Sequence, residues 1–401
     1  MSEATATPGL ARVRGTGLVK ALAALSWHRR PPAAWGTVIL TLWAGRAEAA
    51  IARCRALAQA EPERADLAAR LGVLLLLTGS GAAEAVSRLE PAVRREPENP
   101  HLRYWLAEGL RRCGRAEHAL EQLEAGLRLQ PDLPELWEAK GRLLLGQGRA
   151  GEALLFIDGA LAARPREGAL WNLRGLCLDR LGRAAEAVRA YRHAARLLRT
   201  DGAAWANLGL ALQKAGEPRE ALSALLRAVR MRPSDPILLN NVGFSLLRAG
   251  RVREAIQSFR QAHRLEPDSI LTLGNLAAAL FEDGQAGEGT ALLDRALELA
   301  PGDATLLNNK GHLLMQAGQL REALASFELA LKSAPNDPAT LANQAACYFA
   351  LGRYEQSLAT YRLAVATDPG NRQLLWSMGA CLERLGRADE ALNCYNQALG
   401  A

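Results

Sequence analysis

The chain of 401 residues contains few aromatic side chains, and this shortage narrows the fold class. Aromatic residues make up 5% of the sequence, although hydrophobic residues make up 49%. Runs of Val, Ile and Thr, which favour β-strands, are missing. Alanine, leucine and other small residues dominate instead, and small residues allow helices to pack closely. The composition therefore predicts an all-α protein.

Motifs for catalysis and for metal or cofactor binding are also missing. The six histidines fall at unrelated places, and no two cysteines have C-x-x-C spacing. No G-x-S-x-G motif, P-loop or dinucleotide-binding glycine motif is present. We therefore expect no enzyme activity, no cofactor and no metal. The cysteines are expected to be unpaired core residues in a reducing compartment; they are Cys54, Cys113, Cys177, Cys347, Cys381 and Cys394.

Long apolar runs are absent as well, so we expect neither a membrane span nor a signal peptide, and we favour the cytoplasm. Only 5 of the 49 basic residues are lysines, which is typical of the codon bias of GC-rich bacteria. Residues 1–200 carry 30 Lys+Arg against 21 Asp+Glu, whereas residues 201–401 carry 19 against 21. The basic half could attract an acidic partner or nucleic acid. We favour the alternative that its arginines are scattered over solvated helix surfaces.

A repeat with a fixed period is the strongest positive signal in the sequence. Eleven glycines are spaced 34 residues apart, with a single step of 35 between Gly79 and Gly114. A period of this length indicates one helical unit that is stacked many times and packs only on its neighbours. The sequence therefore predicts a solenoid. The glycines are Gly45, Gly79, Gly114, Gly148, Gly182, Gly216, Gly250, Gly284, Gly318, Gly352 and Gly386.

Each repeat carries the pattern of two antiparallel helices. Small residues stand at repeat positions 8 and 20, where two backbones can approach, and bulky residues stand at positions 4, 11 and 24. The glycine at position 15 ends the first helix, because a left-handed cap residue costs least as glycine. Proline at position 32 follows the second helix in most repeats. Counted in this way, the repeats fill residues 31–401 and start at residues 31, 65, 100, 134, 168, 202, 236, 270, 304, 338 and 372.

This repeat resembles the tetratricopeptide repeat family. Aromatic residues occupy position 4, as in Trp137, Trp171 and Trp205, and again position 24, as in Tyr191 and Phe259. The small residues and the closing proline follow the same family pattern. The resemblance implies a right-handed superhelical solenoid of about eleven helix hairpins. In such a solenoid the first helices line a concave groove and the second helices form the convex back.

The two ends of the chain depart from the regular repeat. Residues 1–30 are expected to form an N-terminal extension, with a capping helix around Leu18 to Trp27. The sequence stops inside repeat eleven, at Ala401, without the polar capping helix that terminal repeats normally need. Two explanations stay open: the chain continues in a longer protein, or the last hairpin packs on another molecule. The second explanation predicts self-association through the C-terminal repeat.

Asparagine occupies position 6 of five successive repeats, and we predict that these side chains bind a peptide. Position 6 lies on the first helix and faces the predicted groove. A side-chain amide has a donor and an acceptor, so it can bond both the N–H and the C=O of an extended backbone. The alternative is that recent duplication or local polar contacts explain the run. The residues are Asn207, Asn241, Asn275, Asn309 and Asn343.

The asparagine run also resembles the one in the repeat region of O-linked N-acetylglucosamine transferases, which implies binding of substrate peptides. Further side chains are expected to line or approach the same groove, namely Asn240, Asn308, Phe244, Phe281 and Phe349, with His312 and Met315 close by. They form a neutral, partly apolar wall without the several Lys and Arg that would clamp a terminal carboxylate. In the first half, Tyr104 and Trp105 are a candidate apolar docking patch, although core packing is the interpretation we favour slightly.

These observations predict a non-enzymatic interaction scaffold that binds an extended segment of a partner protein in its groove. A first alternative is the substrate-recognition arm of a larger, glycosyltransferase-like enzyme whose catalytic part would follow Ala401. A second alternative is a self-assembling scaffold. Nucleic acid is not an expected partner, because the asparagine-bearing half carries a net negative charge.

Overall fold

A computed structural model describes residues 35–399 of the chain. Across this range it contains 22 α-helices and no β-strand, which confirms the all-α prediction. The capping helix predicted around Leu18 to Trp27 lies outside the described residues. The chain divides into two compact units, which we call unit 1 (Met1–Arg199) and unit 2 (Thr200–Ala401).

Unit 1 contains five consecutive helix hairpins between residues 35 and 199. Three residues connect the two helices of a hairpin, and four residues connect one hairpin to the next. The helices are α1 (Trp35–Trp43), α2 (Ala47–Ala60), α3 (Ala65–Thr78), α4 (Ala82–Arg95), α5 (Pro100–Arg112), α6 (Ala116–Leu129), α7 (Pro134–Gly146), α8 (Ala150–Ala163), α9 (Gly168–Arg180) and α10 (Ala184–Leu197).

Unit 2 contains six further hairpins with connections of the same lengths, up to the last described residue. Its helices are α11 (Gly202–Lys214), α12 (Pro218–Met231), α13 (Pro236–Arg248), α14 (Val252–Leu265), α15 (Ile270–Glu282), α16 (Ala286–Leu299), α17 (Ala304–Gln316), α18 (Leu320–Ser333), α19 (Pro338–Ala350), α20 (Tyr354–Thr367), α21 (Arg372–Arg384) and α22 (Ala388–Leu399). The odd-numbered helices are the first helices of their hairpins in both units.

The periodic glycines end the first helices. All eleven have positive φ values, between 72° and 80°. In the hairpin α7–α8, the N–H of Gly148 donates to the carbonyl of Leu145 at 3.0 Å, and the N–H of Arg149 donates to the carbonyl of Leu144 at 2.9 Å. These two hydrogen bonds satisfy carbonyl groups of the last helical turn, and they form when the residue after the helix, here Gly148, has a left-handed conformation. The predicted role of the glycines as helix caps is therefore confirmed.

Several first helices begin with a capping side chain followed by proline. Asp235 accepts hydrogen bonds from the N–H groups of Ile237 and Leu238, and Pro236 occupies the first helical position. The cap accepts hydrogen bonds from N–H groups that have no acceptor within the helix. Proline at the first helical position breaks no hydrogen bond, because an N–H group there would have no partner within the helix. The sequence therefore fixes where the helix starts as well as where it ends.

The two helices of a hairpin meet where the first helix carries a small residue. A Cβ atom added to Gly243 of α13 would lie 2.6 Å from the ring of Phe259 on α14. A Cβ atom added to Gly175 of α9 would likewise lie 2.6 Å from the ring of Tyr191 on α10. Both rings are buried, and Phe259 is 0% exposed. The aromatic ring therefore fills the space that the absent side chain leaves.

First helices of neighbouring hairpins lie side by side. Within unit 2, each second helix packs on the first helix of the next hairpin, and first helices also contact one another, as α13 contacts α15. Second helices make no comparable contact with one another. The same is true of α5, α7 and α9 within unit 1. Each unit therefore presents one continuous surface made by its first helices, which we call the first-helix face.

The six cysteines are unpaired, as expected, but one of them is not a core residue. Cys54, Cys177, Cys347, Cys381 and Cys394 are buried. Cys113 is exposed. It follows the last residue of α5 and stands directly before the left-handed cap glycine, where the side chain has left the hairpin contact. The expectation that all six pack in the core is therefore wrong for Cys113.

The glycine contact inside the hairpin predicts opposite effects for one substitution at two helical sites. Gly175→Ala adds a methyl group against the ring of Tyr191, and overpacking of this kind costs about 1–3 kcal/mol, more than the ~1 kcal/mol that alanine contributes to helix propensity. Gly159→Ala on α8 meets no atom within 4 Å, so only the gain in propensity remains. Urea unfolding should show a lower midpoint for the first variant and a higher one for the second. Equal shifts would contradict the packing account.

Candidate functional site

The asparagines of position 6 lie on the first-helix face of unit 2. Asn207, Asn241, Asn275, Asn309 and Asn343 stand on α11, α13, α15, α17 and α19, and all five are half-buried. Their side chains are therefore partly open to solvent and partly held between helices. This is the placement that binding of an external ligand requires.

Two of these asparagines are bonded to an asparagine of the preceding repeat. Nδ2 of Asn275 donates to Oδ1 of Asn240 at 3.1 Å. Nδ2 of Asn343 donates to Oδ1 of Asn308 at 3.0 Å. In both pairs the acceptor stands 35 residues earlier in the chain, at position 5 of the previous first helix. These bonds link neighbouring first helices and fix the orientation of the two amides.

Asn241 and Asn309 differ, because their side chains make no hydrogen bond within the described part of the chain. The residues that stand 35 positions before them are Ala206 and Gly274, which have no amide to offer. Along the row from Asn241 to Asn343, free and bonded amides therefore alternate. The two free amides keep both a donor and an acceptor for a ligand.

Exposed apolar side chains surround the row of amides. On α13, Ile237, Asn241 and Phe244 stand at spacings of four and three residues, which places them along one side of a helix. Ile237 is 63% exposed and Phe244 is 43% exposed. On α15, Leu271 stands four residues before Asn275 and is 65% exposed. This part of the face can bury apolar groups of a partner beside its polar ones.

The structure separates the other predicted lining residues into different environments. Asn240 is only 4% exposed, so its amide supports Asn275 instead of facing solvent. Asn308 is half-buried beside Asn343. Phe281 packs towards the second helix of its own hairpin, where its ring would meet a Cβ atom on Gly289 at 2.6 Å.

The remaining predicted lining residues also have partners of their own. Phe349 makes an edge-on contact with Tyr354 of α20, with ring centroids 5.3 Å apart. Nε2 of His312 lies 3.1 Å from Nε2 of Gln316, one turn further along the same helix. Met315 packs on the buried cluster around Phe327. His312 stands three residues after Asn309 on α17, the same spacing that places Phe244 beside Asn241.

Gln213 is a residue of this face that the sequence analysis missed. Its Nε2 donates to the backbone carbonyl of Asn241 at 3.1 Å and to Oγ of Ser245 at 2.5 Å. It therefore connects α11 to α13 directly beside a free amide. The sequence does contain a signal for this residue. Gln213 is polar at repeat position 12, where the next four repeats carry the apolar residues Leu, Phe, Met and Phe.

Charged side chains are absent from the centre of this surface. Positions 2, 5, 6 and 9 of α11, α13, α15, α17 and α19 carry no Asp, Glu, Lys or Arg. The corresponding positions of α7 in unit 1 carry Glu135, Glu138 and Arg142. The first-helix face of unit 2 thus suits an uncharged stretch of polymer, and that of unit 1 does not.

In unit 1, the candidate patch of Tyr104 and Trp105 is mostly core. Trp105 is 9% exposed and belongs to the main buried cluster of the unit. Tyr104 packs edge-on against it with ring centroids 5.0 Å apart. Burial, together with the nearby carboxylate of Glu108, raises the pKa of the Tyr104 hydroxyl to about 12. Core packing therefore describes this pair better than an exposed docking patch.

Comparison with known families and structures defines the class of protein. One tetratricopeptide repeat model matches residues 206–270, 308–372 and 344–401, and another matches residues 81–143 and 246–311. Together these two models cover more than half of the chain. The chain therefore belongs to the tetratricopeptide-repeat proteins, a class of helical scaffold that binds other proteins. A model described as a bacterial transcriptional activator domain matches residues 124–204.

Solved structures share the fold at low sequence identity. The APC/C hetero-tetramer Cut9–Hcn1 matches with a TM-score of 0.52 and 18% identity, over 80% of this chain and 64% of that chain. Yeast Tom70 matches with a TM-score of 0.50 and 13% identity, over 94% of this chain and 92% of that chain. No curated protein sequence matches significantly. These matches support the repeat family and give no support to the narrower resemblance to O-linked N-acetylglucosamine transferases.

Residues 35–399 lack two further features. None of the helices in that range combines the length and the apolar character that crossing a membrane requires. No group of three or more His, Cys, Asp or Glu side chains in the same range could hold a metal ion.

The two kinds of asparagine predict different effects on stability. Asn275→Ala leaves Oδ1 of the buried Asn240 without its donor, which costs about 1–3 kcal/mol. Asn309→Ala makes the same change at the same repeat position but breaks no side-chain hydrogen bond, so the unfolding free energy should not fall and should rise by at most about 0.7 kcal/mol from helix propensity. Urea unfolding of the two variants measures the difference, and both gain the same helix propensity. Equal losses would mean that the Asn240–Asn275 bond does not contribute to stability.

Proposed function

We propose that the protein is an interaction scaffold that acts by binding, and that the first-helix face of unit 2 binds an extended, uncharged segment of a partner protein. The observation that carries this proposal is the pair of half-buried amides at Asn241 and Asn309, which make no hydrogen bond within the described chain. They stand on first helices whose positions 2, 5, 6 and 9 carry no charged side chain.

The chemistry of an amide matches that of a peptide backbone. The N–H and C=O groups of an extended chain need an acceptor and a donor, and one asparagine supplies both. Each hydrogen bond contributes about 0.5–1.5 kcal/mol net. Binding through the backbone depends little on the sequence of the bound segment.

Apolar contacts would add to the amide contacts. Ile237, Phe244 and Leu271 are exposed beside the row, and burying a large apolar side chain completely contributes about 1.5–3 kcal/mol. A partner segment with spaced apolar side chains would therefore gain more from this surface than a wholly polar one. Ordering the segment costs part of that gain, so we expect moderate affinity.

Backbone recognition can be tested with a peptide selected against the full chain from a random display library. The variant Asn241→Ala/Asn309→Ala should weaken its binding roughly tenfold or more, because two hydrogen-bonding groups are lost. Methylating the peptide's backbone nitrogens should weaken binding to the unchanged protein to a similar extent and have little further effect on the variant. Fluorescence anisotropy measures both changes.

The matched control is Asn393→Ala/Asn396→Ala on α22, which removes two exposed asparagines from a second helix. Binding should be unchanged in that variant. If the Asn241/Asn309 variant and its control bind the peptide equally well, the binding site lies elsewhere and the proposal fails.

A further inference from the structure

A cavity of about 700 Å³ opens on the first-helix side of unit 1, between α5, α7 and α9. This volume lies within the range of about 300–1,000 Å³ that is typical of small-molecule sites. The cavity lies outside the asparagine row and contains none of its residues. Its wall includes apolar side chains such as Trp105, Leu143 and Leu176. An apolar group could therefore be buried inside it.

The side chains that line the cavity include more positively charged groups than negatively charged ones. Four arginines line it, and Glu108 is the only carboxylate among the lining residues. The arginines come from three first helices, so they surround the cavity from different sides. They are Arg111 and Arg112 of α5, Arg142 of α7 and Arg180 of α9.

The single carboxylate is already committed to two of the arginines. Nε and Nη2 of Arg111 donate to Glu108 at 2.9 and 2.7 Å, and Nε of Arg112 donates to it at 2.8 Å. Burial would raise the pKa of Glu108, but the hydrogen bonds and charges of Arg111 and Arg112 outweigh it and lower the pKa below its ordinary value. Glu108 therefore stays ionised at neutral pH and holds two guanidinium groups side by side.

Arg111 and Arg142 keep donors for a ligand. A guanidinium group has five N–H donors, and Arg111 uses its Nε and Nη2 groups on Glu108. Arg142 makes one hydrogen bond, from Nη2 to Glu138 at 2.9 Å, and its side chain is 58% exposed. Guanidinium groups with free donors bind carboxylates with two parallel hydrogen bonds, which lysine cannot do.

We propose that this cavity binds an acidic segment of a partner protein, with an apolar side chain of the segment inside and its Asp or Glu carboxylates on Arg111 and Arg142. The proposal concerns a different surface and a different ligand from the amide row of unit 2. It assigns a binding role to some of the arginines that are in excess in the first half of the chain.

A nucleic acid fits this site less well than an acidic peptide. A phosphate backbone carries regularly spaced charge and needs basic side chains along its path. Next to the cavity, however, Glu135 and Glu138 stand on the same face of α7 as Arg142. Burial raises the pKa of Glu138, as do the nearby carboxylates of Glu167 and Glu135. A phosphate chain leaving the cavity along α7 would meet both carboxylates, whereas a short acidic segment need not extend along α7 and would only share Arg142 with Glu138.

The test uses the full chain and three fluorescent peptides of equal length with amidated C-termini, in which leucine alternates with Glu, Gln or Lys. The Leu–Glu peptide should bind, and raising the salt concentration should weaken its binding. Arg142→Glu should weaken binding at least about tenfold, because a charge-assisted contact is replaced by repulsion. Arg142 is exposed enough for this variant to fold, and circular dichroism checks that it does.

The control variant Arg189→Glu makes the same charge change on α10, a second helix of the same unit, and should leave binding unchanged. Ala139→Leu, which adds volume to the cavity wall without changing charge, should also weaken binding of the Leu–Glu peptide. If Arg189→Glu weakens binding as much as Arg142→Glu, the attraction is general and the site proposal is overturned. Preference for the Leu–Gln or Leu–Lys peptide, or displacement of the Leu–Glu peptide by single-stranded RNA, would overturn it as well.

Discussion

The contact between the two helices of each hairpin is the constraint on which the other features depend. A glycine of the first helix, such as Gly175 or Gly243, receives an aromatic ring from the second helix, and there is no room for even one extra carbon atom. This contact fixes which side of the first helix faces its partner. Position 6 stands two residues away from the contact, roughly 200° around the helix. The hairpin packing therefore places the asparagines on the opposite side, where a ligand can reach them.

The same hairpin supports two chemically different surfaces. In unit 2 the central positions of the first helices are neutral, and amides alternate with small or apolar side chains. In unit 1 the corresponding side chains include Glu108, Arg142 and Glu138, which form ion pairs along their own helices, Glu108 with Arg111 and Glu138 with Arg142. Because the core positions are separate from the surface positions, the surface can change in charge without changing the fold. The two units can therefore recognise different partners with one architecture.

The fold was predictable because its determinants are local and repeated eleven times. Each cap glycine, helix-ending proline and small contact residue acts within its own hairpin, so a pattern seen many times in the sequence specifies the class. The expectation that Cys113 is a core residue was wrong. Cys113 stands one residue beyond the end of α5, so its side chain no longer lies in the contact between the two helices.

The details of the site were less predictable, because they depend on pairs of residues from neighbouring repeats. The sequence showed five equivalent asparagines, but the structure shows that Asn275 and Asn343 are bonded by residues 35 positions earlier. Periodicity alone compares a residue with its equivalents and does not show which different positions meet. The cavity of unit 1 was missed for the same reason, since its arginines come from three helices and occupy different repeat positions.

The alternation of bonded and free amides has a consequence for how this chain can change in length. Asn308 stands 68 residues after Asn240, which is two repeats. If the single repeat that begins at Ile270 were deleted, Asn309 would stand 35 positions after Asn240, where Asn275 stands now. Its amide would then bond to Asn240 and would no longer be available to a ligand. Deleting or duplicating two consecutive repeats would keep every amide in its present state. The repeating unit of this surface is therefore a tandem pair of hairpins. Gain or loss of an odd number of hairpins would disturb the alternation of bonded and free amides.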